Sequence, residues 1–393
     1  MARETDGGRR VVLYAIASGN FAQFGTRVLI GALVPFILLD FGATKSELGV
    51  ALTGMWAVYA LSQFPSGVLA DHYGERRLLL LGLSGALVGL ALTALAPSLP
   101  LFAVLVLVLG AGTGLFYPAA TLLATRLYDE HGSAIGTLAA FGAFAGLVYP
   151  AVGGFSAEYV GWRPVLGAAA ALTGVIVLVT ARFIPEQRPA NDGGSLASSL
   201  DVTKYRRLLT RPGVVYTIVL AVILIFTFQG ISSFYPAFLV EYHGIDRGVA
   251  GGMLGGVLGV STVAQPLSGK LSDALSRDVA LAVSISFIVA SLAVLLAVTT
   301  FAGAVAGSVL LGAGISYPGP LQARFMDLLG DAERGYGFGL VRTVYMFLGA
   351  SGSVVIGTLS ETTGWVLAYS VVGALLAGCL CLLGANRLFS LGL

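Results

Sequence analysis

The chain of 393 residues is 56% hydrophobic and only 11% charged, with a mean hydropathy of +0.89. A soluble domain covers its surface with about 25% charged residues, so most of this chain faces lipid. A net charge of +2 provides no basic field for nucleic acid, and Cys379 and Cys381, two residues apart, build neither a disulfide framework nor a metal site.

The charged start, MARETDGGRR, leads into an apolar run over 11–39. That run is too long for the core of a signal peptide and reads as a first membrane span. A spanning helix needs about 20 mostly apolar residues. Further spans are predicted at 47–70, 78–97, 100–127, 133–157 and 164–184, then at 213–240, 247–272, 279–299, 301–326, 335–360 and 365–386. Short alternating segments, the signature of a barrel, are not the pattern here. The predicted fold is an all-α membrane protein of twelve transmembrane helices.

The longest connection, 185–212, opens on the polar stretch PEQRPANDGGS and ends in LDVTKYRRLLTRP. There Val202, Tyr205, Leu208 and Leu209 share a helical face beside basic residues, which suits a helix lying on the inner membrane surface. It divides the chain into six-helix bundles at 1–184 and 213–393. With the N-terminus inside, 17 of the 22 Lys and Arg residues fall on the cytoplasmic side and three outside. Both termini are therefore expected in the cytoplasm, in the plasma membrane.

The halves repeat at an offset of about 200 residues. Pro35 matches Pro236; Gln63, Gly67 and Asp71 match Gln265, Gly269 and Asp273; Tyr117-Pro118 matches Tyr317-Pro318. Gly154, Glu158 and Gly161-Trp162 match Gly357, Glu361 and Gly364-Trp365. Two parallel repeats about an axis along the membrane normal put a solute site between them, near the midplane.

Charge is concentrated in GVLADHYGERR, residues 67–77. Gly67 allows close helix approach, Asp71 ends a span where a helix N-terminus or an Arg can hold it, and Gly74 permits a tight turn. Arg76 and Arg77 keep the loop inside. This stretch, with its weaker copy GKLSDALSR at 269–277, resembles the signature loop between spans two and three of the major facilitator superfamily. The resemblance implies twelve helices in two bundles related by a pseudo-two-fold axis. It also implies a conformational latch at Asp71, less strongly at Asp273, with His72 and Glu75 standing where a basic residue is common. In span five, Gly136, Pro150 and Gly153-Gly154 partly match a Gly/Pro pattern of drug–proton antiporters in this superfamily, with Ala145 and Tyr149 replacing two of its glycines. Pro150 kinks the helix. The Arg such antiporters often carry in span four is replaced by Val106.

Arg27 falls near the middle of span one, too deep to snorkel, on one stripe with Asn20 and Gln23. It is expected to bind an anionic group of the solute through paired hydrogen bonds. Arg342, about two turns into span eleven, is expected to snorkel to the cytoplasmic surface or pair with Asp71; the alternative is the wall of an inner vestibule. In the superfamily, spans one, four, seven and ten line the cavity. The resemblance thus implies contacts from Thr113, Tyr117, Thr121, Gln229, Ser233 and Tyr317. Trp56, Tyr59 and Gln63 form another polar–aromatic stripe on span two, and Gln265 repeats Gln63. No Asp, Glu or His lies deep in any span, so a coupling proton would ride on the solute or on a terminal carboxylate such as Asp40.

The sequence holds no phosphate-binding loop of the G-x-x-x-x-G-K-[ST] kind and no Ser–His–Asp logic, so neither ATP-driven pumping nor an enzyme is expected, and no cofactor. The function it points to is a monomeric secondary transporter of a small anionic organic solute. A proton-coupled drug efflux antiporter is the alternative.

Overall fold

The structure, a computed structural model, describes residues 6–128, 131–186, 202–330 and 333–389. Among the described residues it is built of helices alone. The first half runs α1 (Asp6–Phe41), α2 (Lys45–Tyr73), α3 (Glu75–Ala94), α4 (Leu99–Leu127), α5 (His131–Val160) and α6 (Trp162–Phe183). A short α7 (Val202–Leu209) precedes α8 (Pro212–His243), α9 (Arg247–Ala274), α10 (Arg277–Ala297), α11 (Phe301–Gly314), α12 (Pro318–Leu328), α13 (Arg334–Gly349), α14 (Gly352–Thr362) and α15 (Trp365–Leu388). Eleven of these stretches are long and apolar enough to cross a membrane, α11–α12 and α13–α14 each counting as one. The twelfth crossing is α2, equally long but interrupted by Thr53, Ser62, Gln63 and Ser66.

Local chemistry marks the ends. Thr44 and Glu47 form a reciprocal capping box at the start of α2: the Thr44 hydroxyl accepts from the Glu47 N–H, and the Thr44 N–H donates to the Glu47 carboxylate at 2.9 Å. Gly74 turns the chain between α2 and α3 at φ 85°, a conformation that costs other residues. This is the tight turn expected of the GVLADHYGERR loop.

Two predicted spans are each two helices. The span at 301–326 breaks between Gly314 and Pro318, because Pro318 has no N–H to continue the ladder and Pro320 follows it. The span at 335–360 breaks at Ala350-Ser351. The start of α1 and the end of α15 lie at one face of the bundle, the terminal face. Residues 42–44, 161, 244–246 and 363–364 turn at the opposite, distal face.

The two halves meet toward the distal face, where α5 packs on α9, α2 on α14 and α1 on α8. Small residues make this possible. A methyl group on Gly31 would strike the Ser232 carbonyl, and one on Gly154 would come within 2.8 Å of the Gly251 Cα. Within the first half, Gly153 of α5 admits Leu29 of α1, while Pro150 is buried within α5. By contrast, α4 and α12 pack closely only within their own halves. The molecule is sealed distally and parted at the terminal face.

Three expectations are revised here. Gly67 and Gly269 meet nothing within 4 Å of an added Cβ, so no helix approaches closely there while the terminal face is open. Arg76 pairs with Glu186 at 3.1 Å and donates to the Ala181 carbonyl, ties internal to the first half, and Arg77 is exposed. Asp273 pairs with Arg277, which also reaches Asp327 at 3.0 Å, again within one half. The Asp71 side chain lies outside what is described. The apolar face of α7 packs on protein: Tyr205 stands edge-on to Phe64 of α2 at 5.9 Å, and Leu208 is buried against α13. Residues 187–201 of the connection lie outside the described residues.

Candidate functional site

The parting of the halves leaves a cavity of about 230 Å³. The first half contributes Phe24 of α1, Trp56 of α2, and Ala143 and Gly146 of α5. The second half contributes nearly all of the polar wall: Gln229, Ser261, Thr262, Gln265, Tyr317, Gln322, Arg342 and Tyr345.

Arg342 sits on this wall, not at the membrane surface. It projects from α13, with its guanidinium carbon 5.0 Å from the Tyr117 ring centre and its Nε without a hydrogen-bond partner. A side chain two turns into a span can snorkel only if its flank is free. Here Arg342 is half-buried, and its head group has Tyr345, Tyr59 and Tyr117 as electrostatic neighbours.

Arg27 is only 3% exposed and stands behind the wall. Its guanidinium carbon lies 3.6 Å from the Tyr59 ring centre and 5.2 Å from the Trp56 ring. The predicted polar stripe is real but internally satisfied. Asn20 donates to the Leu138 carbonyl of α5 at 2.6 Å, Gln23 donates to Asn20 at 2.6 Å, and Arg27 donates to the Gln23 side chain at 2.9 Å. Arg27 Nε also donates to the Gln23 carbonyl. Asn20 and Gln23 therefore fix the orientation of Arg27, with their own hydrogen-bonding groups occupied.

The other expected contacts divide. Gln229 lines the cavity, with both amide atoms unpartnered. Tyr317 lines it too and is anchored by its hydroxyl to the Leu224 carbonyl at 3.1 Å. Tyr117 supports Arg342 from the facing half. Thr113 is fully buried and bonds back to the Leu109 and Gly110 carbonyls, which makes it a packing residue. Thr121 does the same with the Tyr117 and Pro118 carbonyls, and Ser233 bonds to Ser353. Asp40 at the distal end is paired with Arg163.

Phe24, Phe228, Ser261, Thr262 and Gln322 were not foreseen. Ser261 and Thr262 had a readable signal, since they lie one turn before Gln265 on α9, as Trp56 and Tyr59 precede Gln63 on α2. Phe24 and Phe228 look like any lipid-facing aromatics until the helices are assembled.

What the cavity can do follows from its walls. One guanidinium offers five N–H donors in a planar fork, aromatic rings flank it, and amide and hydroxyl groups of the second half line the same cavity. No carboxylate lines the cavity among the described residues.

A duplicated, twelve-crossing helical body with a central polar chamber defines a membrane transport protein. The model of the Major Facilitator Superfamily matches residues 16–353 and 223–388, and the chain belongs to that superfamily, whose members are transporters rather than enzymes. A probable hexose phosphate transport protein of Chlamydia trachomatis is 25% identical over 45% of this chain and 40% of its own length. The methyl viologen resistance protein SmvA of Salmonella typhimurium is 34% identical over 40% of this chain and 32% of its own. The chain thus spans less than half the length of these curated relatives. A bacterial homologue of the human lysosomal transporter Spinster, solved inward-facing and unoccupied, has the same fold: TM-score 0.84 at 16% identity, covering 98% of both chains.

Proposed function

We propose that this protein is a secondary carrier of a small organic anion, bound between the halves and moved by alternating access. The observation that carries the reading is the pair Arg27 and Arg342, two cations inside the bundle with no carboxylate partner among the described residues. Arg27 is buried and Arg342 half-buried on the cavity wall; a charge held out of water without a partner is costly and is retained where something uses it. Arg342 meets the anion directly. Arg27, held by Gln23, adds its field from behind Trp56 and Tyr59. The moving bodies are 1–184 and 213–393, joined by 185–212. The terminal face is cytoplasmic, supported by the excess of Lys and Arg there. The similarity to a hexose phosphate transport protein points the same way.

The similarity to a methyl viologen resistance protein favours a second reading, efflux of cationic drugs. A cavity whose one charged wall residue is an Arg opposes it, because a cation would meet repulsion without a counter-charge.

Uptake into vesicles reconstituted with the purified protein separates the two. Organic phosphates and sulfonates should enter without nucleotide, and Arg342→Gln should lower their uptake by about tenfold or more, the loss expected for one charge-assisted contact. Methyl viologen flux that survives Arg342→Gln, with no anion flux, would overturn the anion reading in favour of efflux.

A further inference from the structure

The sign of the solute's charge follows from the cavity; the residues around it also bear on the amount. Arg27 and Arg342 come from different halves and repel one another across Tyr59, whose phenol interacts with both. Apart from Arg342, the groups around Arg27 are the Gln23 carbonyl and side chain and the rings of Phe24, Trp56 and Tyr59. Those around Arg342 are Tyr59, Tyr117 and Tyr345. Among the described residues, other arginines of the helical bodies have carboxylate partners. Arg324, 8% exposed, is paired with Asp278, and Arg126 with Glu75.

Two positive charges with no carboxylate partner among the described residues are not neutralised by a single carboxylate or sulfonate. One such ligand would leave the second cation as costly as before. A head group that carries two negative charges on neighbouring oxygens neutralises both: one charge meets the planar fork of Arg342, and the other is stabilised by Arg27 through the aromatic wall. Arg27 contributes chiefly as field, since it does not line the cavity and the Trp56 ring that does lies 5.2 Å from its guanidinium carbon. Resting on the anion reading above, we propose that the solute is a divalent oxyanion, of the phosphate monoester or phosphonate class, selected over monovalent carboxylates and sulfonates by the combined charge of Arg342 and Arg27.

The test uses two probes of similar shape, phenyl phosphate and benzenesulfonate, titrated calorimetrically into the purified full-length protein. A phosphate monoester gains its second charge near pH 6, whereas the sulfonate stays monovalent. Between about pH 5 and about pH 8, phenyl phosphate should tighten by about tenfold, the gain expected of one further charge-assisted interaction. Benzenesulfonate should stay constant, which controls for titration of the protein's own groups. Arg27→Gln should remove the pH step for phenyl phosphate, while benzenesulfonate, which meets the same lost field as a single charge at every pH, should weaken equally at both pH values. Arg27→Lys, which keeps the charge, should preserve the step and serves if the Gln variant fails to fold. If both probes bind the native protein without a pH step, or if the step persists in Arg27→Gln, the divalent preference is overturned while the anion reading stands. If neither probe binds at either pH, both fall.

Discussion

Glu158 at the end of α5 and Glu361 at the end of α14 hold equivalent places in the two halves, and each reaches across to the other half. Glu158 accepts from the Gly248 N–H in the first turn of α9 at 3.2 Å, and Glu361 accepts from the Lys45 N–H in the first turn of α2 at 3.0 Å. A carboxylate at a helix N-terminus satisfies an orphan donor and meets the positive end of the dipole. Only the second contact is reinforced. Lys45 Nζ lies 2.8 Å from Glu241 and 3.6 Å from Glu361, and the Trp365 indole N–H donates to Glu241 at 2.9 Å. In the first half, Asp40 turns inward to Arg163 instead. Duplication kept the part of the seal that needs one carboxylate and a backbone, and let the side-chain partner diverge.

The same comparison holds at the terminal face, where the largest effect is expected. Glu75–Arg126 and Asp278–Arg324 are equivalent acid–arginine pairs, but they differ in which partner is buried. Glu75 is fully buried and the Arg126 side chain is 33% exposed, whereas Arg324 is 9% exposed. Asp278 also accepts from Asn386 at 3.0 Å. Asp278→Ala takes the ion-pair carboxylate from a buried cation that keeps its hydrogen bond to Thr217, and should cost about 3 kcal/mol. Glu75→Ala removes a partner from a cation whose side chain is already 33% exposed, and should cost about half as much. Denaturant unfolding of the two variants in detergent would break the comparison if their order were reversed.

A smaller effect is expected at the distal seal. Glu361→Gln should favour opening of that face by about 1 kcal/mol, roughly fivefold in population. Glu158→Gln should do less, because no lysine loses a partner there. Maleimide labelling of a cysteine placed at Ser46, in a chain lacking Cys379 and Cys381, reads the opening. High salt should shrink the difference, since the Lys45 contacts are partly exposed.

The smallest effect concerns pH. Arg211 holds the Glu333 carboxyl below the usual carboxylate range through two hydrogen bonds, at 2.7 and 2.6 Å, joining the starts of α8 and α13. Because the folded value is the lower one, this link stabilises the protein fully above the ordinary carboxylate pKa of about 4.3. It is lost as pH falls through the depressed value. The difference in melting temperature between the native protein and Glu333→Gln should therefore vanish in acid; a difference that grows toward low pH would contradict the assignment.

Much of the fold was legible because lipid imposes one rule on every span, and composition reports it. Twelve apolar runs, the repeat offset and the Gly74 turn all follow from local chemistry. The Tyr-Pro pairs show the limit. Pro118 sits inside a continuous α4, while Pro318 begins a new helix after a break, although the dipeptides are equivalent. Gly319 and Pro320 follow the second pair where two alanines follow the first, a difference readable only once the consequence is known. The polar stripe of Asn20, Gln23 and Arg27 was legible as a stripe. Its role was not, because its hydrogen bonds close on themselves and on the Leu138 carbonyl 118 positions away from Asn20. Arg342 was displaced furthest from expectation: its depth along α13 is a matter of counting, but its surroundings come from the first half of the chain.

The sequence by itself determined that this protein is a duplicated bundle of membrane helices, because hydropathy, span length and recurring glycines act locally or at one fixed offset. Tertiary structure alone decided which of two mid-membrane arginines reaches the chamber and which stands behind aromatic rings. Helical periodicity sets the direction of a side chain relative to its own axis. What stands opposite depends on how two separately folded halves meet.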